Sequence, residues 1–468
     1  MNKYLALFIA VITGTELQAI QLAPRLVVNI TIDQLRTDYL EAFTPLYNAS
    51  GFRKLMKDGR VYDVASYPFS PVDNASAVST VATGTTPYYH GIIGKRWLDR
   101  ATLRPIFCVD DQTHFASPHR LMTSTVGDEL KVSTHGTAIV WSVAASKESA
   151  ILSAGHAADG VLWIDTEKTR WRTSTYYSAT QPEWFKLNSS VTREIAKNKQ
   201  LTNDEVVDMS LKVVKGSAMG SDEVSDMLTV TLSAANPDGT TTDWQTEMES
   251  VYLQLDNSLS RLITGIEQAV GRERVLFVVT STGYTDEQDG DLSQYRIPTG
   301  TFYINRTANL LNMFLSAIYG QGRYVETCYA NQMYLNHKLV EQKRINMSEL
   351  LQRSQDFLVQ NAGIADVYTS ERLLAGNNDI LKLRKGFSPS LSGDIIIEVA
   401  PGWRLLNEDT NESFTSRSGY VPFPIIFFGA GTPSGRIQTP VTTDRIAPTI
   451  AKSIRIRAPN ACSTEPLF

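Results

Sequence analysis

The sequence is poor in the residues that hold metals and disulfides. Its 468 residues include only three cysteines and six histidines. Three cysteines permit at most one intramolecular disulfide and leave a thiol over, which excludes a densely cross-linked scaffold. Cys108, Cys328 and Cys462 show no metal spacing, and His114, His119 and His135 match no zinc motif. Long apolar runs are missing as well. No stretch reaches the roughly eighteen apolar residues of a membrane-spanning helix, so no transmembrane segment is expected. There is no excess of positive charge: 44 Lys and Arg stand against 49 Asp and Glu, a net charge of −5. That balance gives no electrostatic reason to expect nucleic acid or an anionic membrane surface as a partner. Repeats and low-complexity segments are also absent.

What the chain does have is enough apolar residue, 42%, to bury a large core. It opens with Lys3, an apolar run from Leu5 to Ile12, and a small-residue exit at Leu17-Gln18-Ala19. This pattern reads as a signal peptide over residues 1–19 and implies export, to the periplasm or beyond. Residues 20–468 then form one α/β domain, with insertions expected around 96–135, 160–222 and 285–390.

The stretch Leu26 to Asp38, LVVNITIDQLRTD, organises the remainder. Its β-branched run reads as a strand buried on both faces of a parallel sheet. The run ends in Asp33, and acids at the carboxyl ends of such strands are natural metal ligands and equally natural helix caps. Further on, Asn74 to Thr83 is small and helix-compatible, with Asp73 or Asn74 as its cap. A helix start after a loop can seat an anion or a nucleophile, although small residues alone favour a tightly packed buried helix. Strands are expected at 137–143, 227–233, 275–280, 394–399 and 425–428, and an amphipathic helix at 247–266. Residues 300–375 read as a more helical insertion. Strands alternating with helices predict a doubly wound, mostly parallel sheet with helices on both faces, in which 26–32, 276–280 and 395–399 share one sheet.

The order of motifs IDQLRTDYL, ATGTTPYYHGI, KESAILSAGH and VLFVVTSTG resembles the alkaline phosphatase superfamily. Within it the chain is most similar to the phosphate-irrepressible alkaline phosphatases, related to the nucleotide pyrophosphatase/phosphodiesterases. The resemblance implies the family's fold and, in a working member, two zinc ions. Those ions activate a Thr or Ser nucleophile and neutralise phosphate oxygens. Asp33 matches the first ligand position. Asn74 stands at the nucleophile position, and its amide cannot form a phosphoenzyme. Ser146 and Glu148 occupy the cationic clamp, Lys95 a phosphate-contacting position, and Asn236, Thr240, Ser281, Thr282 and Pro422 the remaining ligand positions.

Only Asp33 keeps a ligand-type side chain, whereas a zinc site needs about three or four. The resemblance therefore implies a retained fold without the family's chemistry and with no metal cofactor. It points to an exported pseudophosphatase that binds or supports a protein partner of the cell envelope. Asp33, relieved of a metal, is expected to cap the helix that follows it. Two rivals stand beside this reading. One is an active phosphoesterase with rearranged ligands, drawn from Asp286, Asp289 and Asp291. The other is a non-catalytic binder of anionic glycans, for which Lys95 is the visible anion contact. Export also suggests that Cys328 pairs with Cys462 while Cys108 stays buried and reduced.

Overall fold

The computed structural model describes residues 23–178, 182–186, 190–191, 199–235, 244–285, 296, 298–376, 378–415 and 421–468. The proposed signal peptide lies outside them, as do Asn236, Thr240, Asp286, Asp289 and Asp291.

Ten strands build the central sheet: β1 (Leu26–Asp33), β2 (Arg60–Ser66), β3 (Val140–Ala144), β4 (Gly160–Asp165), β5 (Arg170–Arg172), β6 (Asp226–Ser233), β7 (Val275–Ser281), β8 (Phe423–Gly429), β9 (Gly435–Ile437) and β10 (Val441–Thr442). Their order is β9-β2-β8-β7-β1-β6-β3-β4-β5, with β10 also beside β2. Strands β7, β1, β6, β3 and β4 run parallel, and β8 and β5 enter antiparallel. The sheet is thus mixed but mostly parallel. β1 lies at its middle because seven of its eight residues are buried, as a run rich in Val and Ile between two helical layers requires.

The helices α1 (Asn74–Thr83), α2 (Lys147–Ala154), α3 (Lys199–Gly216) and α4 (Trp244–Val270) divide between the two faces. On one face α3 and α4 bury Val206, Val213, Tyr252, Leu255, Leu259 and Leu262 against Val28, Ile30 and Ile32. The amphipathic stripe read from 247–266 is the buried side of α4. On the other face α1 and α2 bring small residues, among them Ala75, Ala77, Ala150 and Ala154, close to Val27, Val140, Met227 and Leu276.

Three expectations need correction. Ile395–Val399 is a strand, but of a separate four-stranded sheet, paired antiparallel with Ile364–Thr369 and Gln332–Leu335. Its burial alternates, with Ile395, Ile397 and Val399 inside and Glu398 exposed, so it covers a core with one face only. Residues 300–375 are nonetheless mainly helical, as read from the sequence, with short strands between the helices. Helices Ile304–Tyr319 and Met347–Leu358 pack with this sheet around a core of their own. The cysteines do not pair: Cys108, Cys328 and Cys462 are all free thiols. Cys328 belongs to the core of this second unit, whereas Cys462 lies against Gly84 at the end of α1. Burial pushes the Cys108 thiol well up and the Cys328 thiol up to about 12.

The third correction concerns Asp33. The helix after β1 begins at Thr37 with Arg36 as its N-cap residue and no side-chain cap. Backbone N–H groups of this turn go elsewhere: Gln34 to the Thr282 hydroxyl, Arg36 to the Tyr252 hydroxyl, Thr37 to the Pro422 carbonyl. Gln34 takes a left-handed conformation, φ 60°, and begins the turn away from the strand at Asp33.

Candidate functional site

The carboxyl ends of β1 and β7 and the N-termini of α1 and α2 meet at one place. β1 delivers Asp33, β7 delivers Ser281 and then Thr282, α1 starts on Asn74, and α2 starts after Ser146. Parallel strands followed by helices create such a crevice at the carboxyl edge of the sheet. Asp73 is the N-cap of α1. Its carboxylate accepts from the Ser76 N–H at 2.9 Å, and the Ser76 hydroxyl accepts in return from the Asp73 N–H. This reciprocal box fixes the first turn of the helix and the position of Asn74.

Asn74 is engaged at both ends of its amide. Its Nδ2 donates to Asp33 Oδ1 at 3.0 Å, and its Oδ1 accepts from the Ser149 hydroxyl at 2.5 Å. Asp33 Oδ1 also accepts from the Thr282 hydroxyl at 3.0 Å. Ser146 Oγ donates to Ser149 Oγ at 2.8 Å and caps α2 through the Ser149 N–H. The Ser281 hydroxyl donates to the Leu35 carbonyl at 2.8 Å. Asp33, Asn74, Ser149, Ser146 and Thr282 thus form one connected network of amide and hydroxyl groups around a single carboxylate. Under it, the Tyr67 hydroxyl donates to the Ser281 carbonyl. Complete burial, reinforced by the nearby Asp33 charge, holds that phenol well above its usual range.

At the rim, Lys95 Nζ and Glu148 Oε1 stand 2.6 Å apart, with Glu148 nearly buried and the lysine half exposed. Desolvation alone would depress the ammonium, but the Glu148 charge and hydrogen bond outweigh it and move its pKa upward. The cation that the sequence singled out as a possible anion contact is therefore paired with Glu148.

Pro422 lies at the same edge, where β8 begins, and contributes a backbone carbonyl to the Thr37 N–H; its side chain offers no ligand atom. Asn236 and Thr240 follow β6, whose neighbouring Ala234 N–H donates to the Asp33 carbonyl, but both lie outside the described residues. The sequence reading missed Ser149 and Tyr67. A signal for Ser149 was present in the spacing Ser146-x-x-Ser149, which suits a hydroxyl cap and its N3 partner. Tyr67 carried none.

No histidine among the described residues joins this cluster. His90 is buried, hydrogen-bonded to Thr80, and pushed down to about 3 by desolvation. His156 sits between Asp128 and the Leu121 carbonyl, a packing role. Among the described residues, no group of three or more His, Cys, Asp or Glu stands together as a metal site. A zinc pair does not fit this donor set. Amide nitrogen and neutral hydroxyls would replace the charged and imidazole ligands that zinc takes, and the single carboxylate is already shared between Asn74 and Thr282.

Fold and crevice together define the class: the chain belongs to the type I phosphodiesterase / nucleotide pyrophosphatase family, whose model matches residues 27–421. Among curated relatives it is 23% identical to the alkaline phosphatase PafA of Elizabethkingia meningoseptica, over 95% of this chain and 94% of that protein. It is also 23% identical to the alkaline phosphatase PhoV of Synechococcus elongatus, over 93% and 91% of the two chains. The crystal structure of wild-type PafA superposes with a TM-score of 0.82 at 22% identity, covering 95% of this chain and 98% of the other. That likeness shows a shared alkaline-phosphatase-like fold. The metal-binding cluster is what the described residues of this chain lack.

Proposed function

We propose that this chain is an exported pseudophosphatase: a member of the family that keeps the fold, does not hydrolyse phosphoesters, and serves as a binding or structural component of an envelope or extracellular complex. One observation carries the reading. The Asn74 amide spans Asp33 and Ser149, so the nucleophile position is filled by a group that cannot attack phosphorus and is already committed on both sides. The pairing of Lys95 with Glu148 supports the same conclusion, because an acid at the rim opposes a phosphate dianion. Export rests on the N-terminal charged, apolar and small-residue pattern. The partner role rests on a general consideration: loops shaped to admit a substrate can receive a protein segment without a change of backbone.

Metal analysis of the purified mature protein, with hydrolysis assays on aryl phosphate monoesters and diesters, tests the catalytic half. The expected result is no stoichiometric zinc and no turnover. Two tightly held zinc ions per chain, with activity abolished by chelation, would overturn it. Affinity purification of the native protein from its envelope tests the partner half, and recovery of the chain alone counts against it.

A further inference from the structure

The strands that carry the site are polar along the face they turn toward α1 and α2. Alternate residues of a strand share a face, so Val27, Asn29, Thr31 and Asp33 lie in line on β1. The register sets Asp33 beside Ser233, Thr31 beside both Thr231 and Thr280, Asn29 beside Thr229, and Thr229 beside Ser142. Two transverse rows of hydroxyl and amide groups therefore lie beneath Asp33, roughly 7 Å apart along the strands. Below them the face turns apolar, with Val27, Leu276, Met227 and Val140 in the next row.

These rows are sealed. Asn29 is 2% exposed, Ser142 and Thr280 0%, and Thr231 6%. Yet Asn29 Oδ1, Ser142 Oγ, Thr231 Oγ1 and Thr280 Oγ1 have no hydrogen-bond partner among the described residues. Four such atoms in two adjacent rows are a concentration rather than a scatter, and a buried polar atom left unpaired is costly. Helices α1 and α2, which cover this face, bring alanines and serines alongside Val78, Val81, Ile151 and Leu152.

We propose that the two rows form an internal water-binding site beneath the crevice at Asp33. Ordered waters would link Thr231 and Thr280 to the Thr31 hydroxyl between them, and Ser142 and Asn29 to the Thr229 hydroxyl between them. Water is the ligand whose chemistry matches: the groups are uncharged, mixed donors and acceptors, and too enclosed for a larger molecule. A buried water satisfies about three such groups at once. A cation would require carboxylates, and Asp33 is the only acid in line.

The unmodified protein supplies the first test, a crystal structure at a resolution where internal waters are placed. Density for water within hydrogen-bond distance of Thr231 and Thr280, and of Ser142 and Asn29, is expected; a dry interface overturns the proposal. Thermal unfolding of Thr231→Val, Thr280→Val and the milder Ser142→Ala supplies the second. If water is bound, each substitution removes one of its anchors and lowers Tm by a few degrees. If the hydroxyls are unpaired and dry, replacing them with apolar groups raises Tm, and the inference fails.

Discussion

The Asn74 amide donates to Asp33 and accepts from Ser149, and this double use makes it structural. Threonine at this position would present a hydroxyl but is too short to reach both partners. Asn74→Thr should therefore destabilise the chain by about 1–3 kcal/mol, the range for leaving a buried hydrogen-bonding group unpaired. It should gain no turnover, because nothing would activate the hydroxyl. Urea denaturation and an aryl phosphate assay check both halves, and any catalysis by the single variant contradicts this account. A second side chain lends itself to a pH test. His337 Nε2 stands 2.8 Å from Asp394 Oδ1, and Arg100 reaches the same carboxylate from the hairpin that follows Lys95. The hydrogen bond to Asp394 raises the His337 pKa, against a smaller downward push from burial. A raised folded-state value means that the stabilisation is fully present below the unfolded pKa of about 6.5 and fades as pH rises through the folded value. The stability gap between the parent and His337→Asn should accordingly shrink as pH climbs from mildly acidic to alkaline. A gap that widens over that range would contradict the pairing.

Helix α1 is the element that sets the crevice, and Asp73 governs its start. One carboxylate oxygen caps the helix through Ser76, and the other accepts from the Lys95 N–H at 2.6 Å. Asp73→Ala removes both contacts. It should cost about 1–2 kcal/mol as a lost cap and loosen the Lys95 loop, seen as faster amide exchange there. Unchanged exchange at Lys95 would show that the loop is held by other means. The far end of α1 closes on Gly84, at φ +67°, where an added Cβ would meet Cys462 Sγ at 2.9 Å. Asn74–Thr83 was legible in the sequence because its punctuation is local: an acid cap before it and a glycine after it. The buried strands β1, β6 and β7 were legible for a similar reason, since apolar β-branched runs have few alternatives. Ile395–Val399 misled because three consecutive isoleucines mask an alternation that only the exposed Glu398 betrays. Asp33 misled for a different reason. Whether an acid after a strand caps the next helix depends on where the turn sends its N–H groups, and here Thr282, Tyr252 and Pro422 take them from far along the chain. Likewise, which neutral side chain closes on Asn74 is a question of tertiary distance, and Ser149 is 75 residues away.

For the molecule as a whole, the described residues bring three acids, Asp33, Asp73 and Glu148, to the site beside Lys95. Lys95 is already paired with Glu148. A phosphatase crevice needs the opposite balance, because a dianion leaving water must be repaid by nearby positive charge. The consequence is measurable without any enzymatic assay. A ligand that binds only the folded state raises stability by RT ln(1 + [L]/Kd), about 2.7 kcal/mol when present at about 100 times Kd. Inorganic phosphate at about 10 mM should therefore leave the Tm of the parent protein unchanged, since its dissociation constant would lie far above that concentration. Glu148→Gln removes the opposing acid and releases Lys95 into the rim. That variant should acquire a small phosphate-dependent rise in Tm, abolished by added salt because one half-exposed cation is easily screened. Thermal shift titrations of both proteins, run side by side with sulfate as a second anion, give the comparison. If phosphate stabilises the parent as much as the variant, the Lys95–Glu148 pair does not close the crevice to anions.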